Sequence, residues 1–137
     1  MDIAGIYNYE TLFPLELTRP DTEEPLGITF QIRSASSDEA KRVLRKHVDE
    51  VTERQQRGKL VKGEMRLRQE LEKAASWIAS WDWGEHTYQG EKPEFSFKKA
   101  LAILEREDWI YAQVSEAANK LANFTSAPPT PAAKRSR

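Results

Sequence analysis

The sequence predicts an α+β fold, mostly α: an N-terminal β-hairpin, then an antiparallel helical hairpin, then two further C-terminal helices. Three observations carry that prediction. Phe13–Thr18 and Gly27–Arg33 alternate apolar and polar residues, the pattern of half-buried strands. From Ser34 to Phe124, apart from the polar stretch Glu85–Pro93, apolar residues instead recur every three to four positions, as on one face of a helix. All four tryptophans, Trp77, Trp81, Trp83 and Trp109, fall within 74–124. An aromatic side chain buries about 150–250 Å², so this stretch organises the rest.

Residues 1–11 form a lead-in with little pattern. Residues 12–124 read as a single α-rich domain whose β-hairpin occupies 12–33. Leu15, Leu17, Ile28, Phe30 and Ile32 are expected to face the core, and Arg19–Pro25 to form an exposed acidic loop. A hairpin alone is marginally stable, so it must pair with another strand or lie on the helices. Ser34–Glu39 offers capping oxygens and early acids for a helix start. Ala40, Val43, Leu44, Val48 and Val51 then form an apolar stripe, with His47 on it, and Gly58 stops the helix. After a short link the stripe Leu67, Leu71, Ala74, Ile78 and Trp81 predicts a second helix, ended by Trp81–Gly84. Glu85–Pro93 is a turn or short edge strand. Ser96 caps a helix with Phe97, Ala100, Leu101 and Leu104 on one face. Asp108 is placed to cap a last helix carrying Ile110, Val114, Ala117, Ala118 and Leu121 and finishing at Asn123–Phe124. Residues 125–137, rich in proline and alanine with a basic end, have little to bury and are expected to be disordered.

Composition narrows the function classes. A length of 137 residues suits one domain with a modest core. The net charge of −1 argues against gripping nucleic acid or an anionic membrane by bulk charge. With no cysteine there is no disulfide framework, thiolate zinc site or thiol nucleophile. No apolar run approaches the roughly 18–20 residues of a membrane span, and Met1–Gly5 lacks the features of a signal peptide. The expected location is the cytoplasm.

Candidate chemistry is sparse. His47 and His86 show no metal-ligand spacing, and His47 on an apolar stripe reads as a satisfied core or edge residue. No GxxxxGK[ST] or GxGxxG sequence occurs. Glu23–Glu24 and Asp49–Glu50 lie on expected surfaces, where nothing raises a carboxyl pKa for acid–base work. These residues predict no enzyme, no metal and no cofactor. The basic run Arg54, Arg57, Lys59, Lys62, Arg66 and Arg68 reads as a solvated face, or else as a patch for an acidic partner or nucleic acid; it lacks interleaved aromatics. Trp77, Trp81, Phe97, Trp109 and Phe124 stand at core-like positions, whereas Trp83 and Tyr88 are harder to bury. An exposed aromatic cluster marks a partner site.

The series Trp81-Asp82-Trp83-Gly84, Gly90, Phe95-Ser96-Phe97, Ala100, Leu104, Trp109-Ile110, Gln113-Val114, Ala117 and Ala122-Asn123-Phe124 resembles the C-terminal pattern of small tail assembly chaperones from long-tailed bacteriophages or prophages. The upstream hairpin, Ser-Asp-Glu helix start and arginine-rich helix are similar to what precedes that pattern, so the resemblance spans most of 12–124. Its motifs are degenerate, being spaced aromatics, glycines and aliphatics. It implies a binding role in the host cytoplasm: covering the tape measure protein, a very long helical chain, before the tail tube polymerises, with the major tail protein as a further partner. Some such proteins form homo-oligomers, and the open edge of a hairpin offers a route to one. The partner-binding residues expected on this reading are Trp81, Trp83, Tyr88, Phe95, Trp109 and Phe124. Two rival readings are a structural virion component, as a minor tail or head–tail connector protein, and a small nucleic-acid-binding regulator.

Overall fold

Strands β1 (Phe13–Thr18) and β2 (Pro25–Ile32) form the expected antiparallel hairpin in the computed structural model, which describes residues 2–126. Phe13 stands opposite Ile32 and Leu15 opposite Phe30, with a bulge between Glu16 and Thr18. Leu17, Ile28, Phe30 and Ile32 are buried as the alternation demands, and Leu15 is half-buried. The acidic loop closes through the Arg19 N–H donating to Glu24 O at 2.9 Å.

Helix α1 (Asp38–Gln56) starts where the sequence places it. The Ser37 hydroxyl accepts the Ala40 N–H at 3.3 Å, Asp38 and Glu39 sit in the first turn, and Gly58 follows the end with φ +71°. Helix α2 (Gly63–Ser76) is shorter than predicted. The stripe Ala74, Ile78, Trp81 fits a helix, yet the helix stops at Ser76 and the chain leaves through Trp77 into β3 (Ile78–Asp82). That strand pairs antiparallel with β2, giving a three-stranded sheet in the order β1-β2-β3. The physical reason is the far edge of β2, which would otherwise present unpaired backbone groups. The turn is fixed from the same side. The Arg33 N–H donates to Trp77 O at 2.6 Å, and its guanidinium donates to Ser76 O at 2.9 Å and Ile78 O at 3.2 Å, which occupies carbonyls a continuing helix would have used.

Helix α3 (Phe97–Arg106) is capped by Ser96, whose hydroxyl accepts the Lys99 N–H at 3.0 Å. Ala100, Leu101, Ile103 and Leu104 are buried, but Phe97 points outward, 46% exposed. Helix α4 (Asp108–Asn119) begins one residue earlier than a capping Asp108 requires: Asp108 is its first residue, and no side chain caps it. It also ends before Phe124. Lys120 turns extended, and Leu121–Phe124 forms a 3-10 turn tied back by the Asn123 side-chain amide donating to Ala117 O at 3.0 Å.

In the assembled fold α4 lies on β1 and β2. The Gln113 side chain clamps the helix to the strand, accepting the Thr18 N–H at 3.0 Å and donating to Thr18 O at 2.9 Å. Helix α2 is central, packed by α1 on one side and by α3 and α4 on the other. Leu17, Phe30, Ile32, Ile78, Leu104, Ile110, Val114 and Phe124 are all under 2% exposed, between sheet and helices. The lead-in closes one end: the Asn8 N–H donates to Phe124 O at 2.7 Å, and the Ser126 N–H donates to Ile6 O at 2.7 Å. Thr125 and Ser126 thus pair with the lead-in, and the remainder of the expected disordered tail lies outside the described residues.

Candidate partner-binding surfaces

Trp81 and Trp83 stand two residues apart at the end of β3, so both rings project to the same side. Trp81 lies opposite Phe30 on β2, with ring centroids 5.3 Å apart. Around this pair stand Trp83, 5.9 Å from Trp81 and nearly perpendicular to it, Phe95, 5.0 Å from Trp81, and Tyr88, 5.9 Å from Trp83. Offset and edge-on rings at such distances attract beyond their burial. The polar ends are mostly satisfied. Trp81 Nε1 donates to Pro93 O at 2.8 Å. The Glu107 carboxylate accepts from the Tyr88 hydroxyl at 2.8 Å and from Trp109 Nε1 at 3.1 Å. Burial, followed by the hydrogen bond and negative charge of Glu107, pushes the Tyr88 phenol above its ordinary value.

Four of the six sequence-predicted residues therefore share one cluster: Trp81, Trp83, Tyr88 and Phe95. Trp109 joins it through Glu107. Phe124 lies apart, fully buried, its nearest aromatic neighbour being Phe13 at 6.5 Å. Trp83, expected to resist burial, is 6% exposed, because Phe30, Trp81 and Tyr88 surround it. Its Nε1 finds no acceptor among the described residues. Phe95 offers an edge at 37% exposure. This arrangement packs the rings against one another at the end of β3.

Exposed apolar side chains lie in the lead-in, at Phe97 and Leu121, and on the α1–α2 hairpin. Ala40, Val43 and His47 are buried against the body, whereas Leu44 is 50% and Val48 56% exposed. In the link Leu60 is 81% exposed, and on α2 Leu67, predicted in the apolar seam, is 69% exposed. A cleft of about 240 Å³ runs between the helices, lined by Leu44, Val48 and Val51 from α1 and by Arg66 and Lys73 from α2. A second, of about 380 Å³, lies across α2, with Leu67, Leu71, Leu104 and Tyr111 in its walls and Glu70, Glu105 and Asp108 at its rim.

The two helices are joined by a polar seam. His47 Nε2 lies 2.9 Å from Glu72 Oε1, Arg68 Nε donates to Glu72 Oε2 at 3.3 Å, and the Gln69 amide donates to Glu50 Oε1 at 3.2 Å. His47 is thus a bonded residue at a helix–helix contact, and His86 is exposed.

The chain matches no family model, no characterised protein and no solved structure. Its own geometry must carry the functional reading. Among the described residues no cluster of His, Cys, Asp and Glu is arranged to hold a metal ion, and no helix is long and apolar enough to cross a membrane. The basic run is partly occupied: Arg54 Nε donates to Leu60 O at 3.1 Å, Arg57 pairs with Glu53 at 3.3 Å and Arg68 with Glu72. Sequence reasoning assigned Leu44, Val48 and Leu67 to seams. The adjacent pair Val43-Leu44 was the available signal, because one neighbouring helix cannot cover so wide a stripe.

Proposed function

We propose that this chain is a tail assembly chaperone of a long-tailed bacteriophage or prophage, acting in the host cytoplasm by binding and without a reaction of its own. Its client is the tape measure protein, held soluble until the tail tube polymerises around it. The observation that supports this most is the run of exposed apolar side chains on the α1–α2 hairpin, Leu44 and Val48 one helical turn apart with Leu67 across α2. An amphipathic client helix presents apolar residues at spacings of three and four, which such a face can receive. Half-exposed aliphatics give individually modest contacts, so tube subunits can displace the chaperone through fast dissociation. The resemblance of the Trp81–Phe124 pattern supplies the identity of the client. In this reading the aromatic cap is scaffold, and the hairpin is the docking face.

Co-expression with the neighbouring tape measure protein tests the proposal. That partner should be soluble with this chain and aggregate without it. The double variant Leu44→Asp/Val48→Asp should fold yet fail to keep the partner soluble. Solubility of the client regardless of this chain would remove the chaperone reading. A stoichiometric band in purified mature tails would assign the chain to the virion instead.

A further inference from the structure

A cleft of about 250 Å³ between α1 and the start of α3 brings together groups far apart in the chain. Arg42, Val43 and Lys46 enter it from α1, and Phe97 enters it from α3. The Phe97 ring is 46% exposed. Two further cations, Lys98 and Lys99, follow it in the same turn, and both are exposed. The acids of the cleft are engaged. Glu39 accepts from Arg42 Nε at 3.0 Å and from its Nη2 at 2.7 Å, and Glu72 is held by His47 and Arg68. Lys46, Lys98 and Lys99 make no ion pair among the described residues. The first turn of α3 carries no acid, and cations at that end oppose the helix dipole. The open face of the ring and the two lysines therefore add nothing to the fold.

We propose that this cleft binds single-stranded nucleic acid. An unpaired base stacks on the open face of Phe97, and the phosphates on either side of it meet Lys46, Lys98 and Lys99. Arg42, bonded to Glu39 through Nε and Nη2, keeps Nη1 for a further phosphate. Aromatic rings set in a cationic surface hold single strands in this way without reading their sequence. The basic run 54–68 has no aromatic among its residues, whereas here folding brings a ring on one helix to the cations of another. A duplex keeps its bases inside paired stacks and offers Phe97 nothing to cover. An acidic peptide matches the charge but has no flat base for the ring. The net charge of −1 confines the attraction to this patch, so the contact involves about three or four phosphates. The inference uses none of Leu44, Val48 and Leu67, and holds whether or not the client reading does.

Fluorescence anisotropy of the full chain with a fluorescein-labelled oligothymidylate of about twelve nucleotides tests it. The strand should bind at low salt. The slope of log affinity against log salt should be about −2 to −3, since each phosphate on a single strand contributes about 0.7. A duplex of the same length should bind more weakly than the strand. Phe97→Ala should weaken binding by about ten-fold or more, the loss of one stacked base. Lys98→Glu/Lys99→Glu should abolish binding and melt at or above the wild-type temperature, because acids suit that end of a helix. Absence of binding at low salt overturns the proposal. So does full binding by folded Phe97→Ala, or an equal affinity for a polyglutamate peptide, since either would reduce the site to bulk charge.

Discussion

Gly84 follows the second tryptophan of the aromatic cap in the left-handed region, φ +59°, and a Cβ built on it would lie 2.6 Å from the carbonyl oxygen of Gly27. Gly58, after α1, has φ +71° with nothing within 4 Å of the same position. The two glycines therefore share one cost and differ in a second. Holding an alanine left-handed costs about 1–2 kcal/mol. Forcing a methyl group into an occupied backbone contact adds about 1–3 kcal/mol, since the Gly27 carbonyl belongs to β2 and cannot swing away as a flexible side chain would. Gly58→Ala should thus lose about 1–2 kcal/mol and Gly84→Ala about 2–5 kcal/mol. For a domain of this size 1 kcal/mol moves Tm by roughly 4 °C, so melting followed by circular dichroism should separate the variants clearly. Gly84→Ala should also leave client solubilisation intact below its melting point, because it disturbs the cap and not the hairpin. Equal Tm shifts for the two variants would refute the close Gly84–Gly27 approach. A large loss of client binding by folded Gly84→Ala would return the docking face to the aromatics.

Other consequences are open to direct measurement. The Tyr88 phenol is raised from its ordinary 10.0, first by burial and then by Glu107, so the folded state holds that proton more tightly than the unfolded one. Its stabilising contribution is complete below pH 10.0 and is lost as pH rises through the folded-state value. Absorbance titration should show one late-ionising tyrosine that disappears in Tyr88→Phe, and shifts toward the ordinary value in Glu107→Gln. Trp83→Phe deletes the buried donor that lacks an acceptor; relief of about 1–3 kcal/mol of desolvation should offset the lost ring area and leave urea stability within about 1 kcal/mol of wild type. Trp81→Phe instead strands Pro93 O and should cost about 1–3 kcal/mol. Leu44→Ser and Val48→Ser, at half-exposed positions, should each change stability by less than about 1 kcal/mol while weakening association at the hairpin.

The sequence was most legible where one local rule was unopposed. Ser37 and Ser96 cap the helices they precede, and the alternation from Leu15 to Ile32 predicted which side of the hairpin is buried. It was misleading where a distant group decided. Ala74, Ile78 and Trp81 satisfy helical spacing, but the open edge of β2 and the Arg33 guanidinium turn that segment into a strand. Asp108 has the chemistry of a cap, yet it became the first residue of α4 and the carboxylate of the preceding Glu107 went to the side chains of Trp109 and of Tyr88, the latter nineteen residues upstream. The aromatic candidates were found as residues and four were brought together, but their exposure was not legible. Whether a tryptophan closes a core or lines a groove depends on Phe30, which lies about fifty residues upstream.

The same limit explains why the hairpin face was missed, and why it can stay exposed without unfolding the domain. A helix held to its neighbour by an apolar seam alone must hide its whole stripe. Helix α1 is held partly by a polar seam, in which His47 is paired with Glu72 and Gln69 reaches Glu50. Such bonds are fixed in direction, so they set the rotation of α1 on α2 and leave Leu44 and Val48 turned off the contact. Their exposure then costs the body little, since neither residue belongs to the continuous core. A surface that is apolar, rigidly presented and separable from stability suits reversible association. Replacing His47 by leucine should test the coupling: the seam would lose its directional bond and leave Glu72 held by Arg68 alone, α1 should rotate to bury Leu44, and association through the hairpin should weaken more than Tm falls. Unchanged association in that variant would show that the polar seam does not set the face.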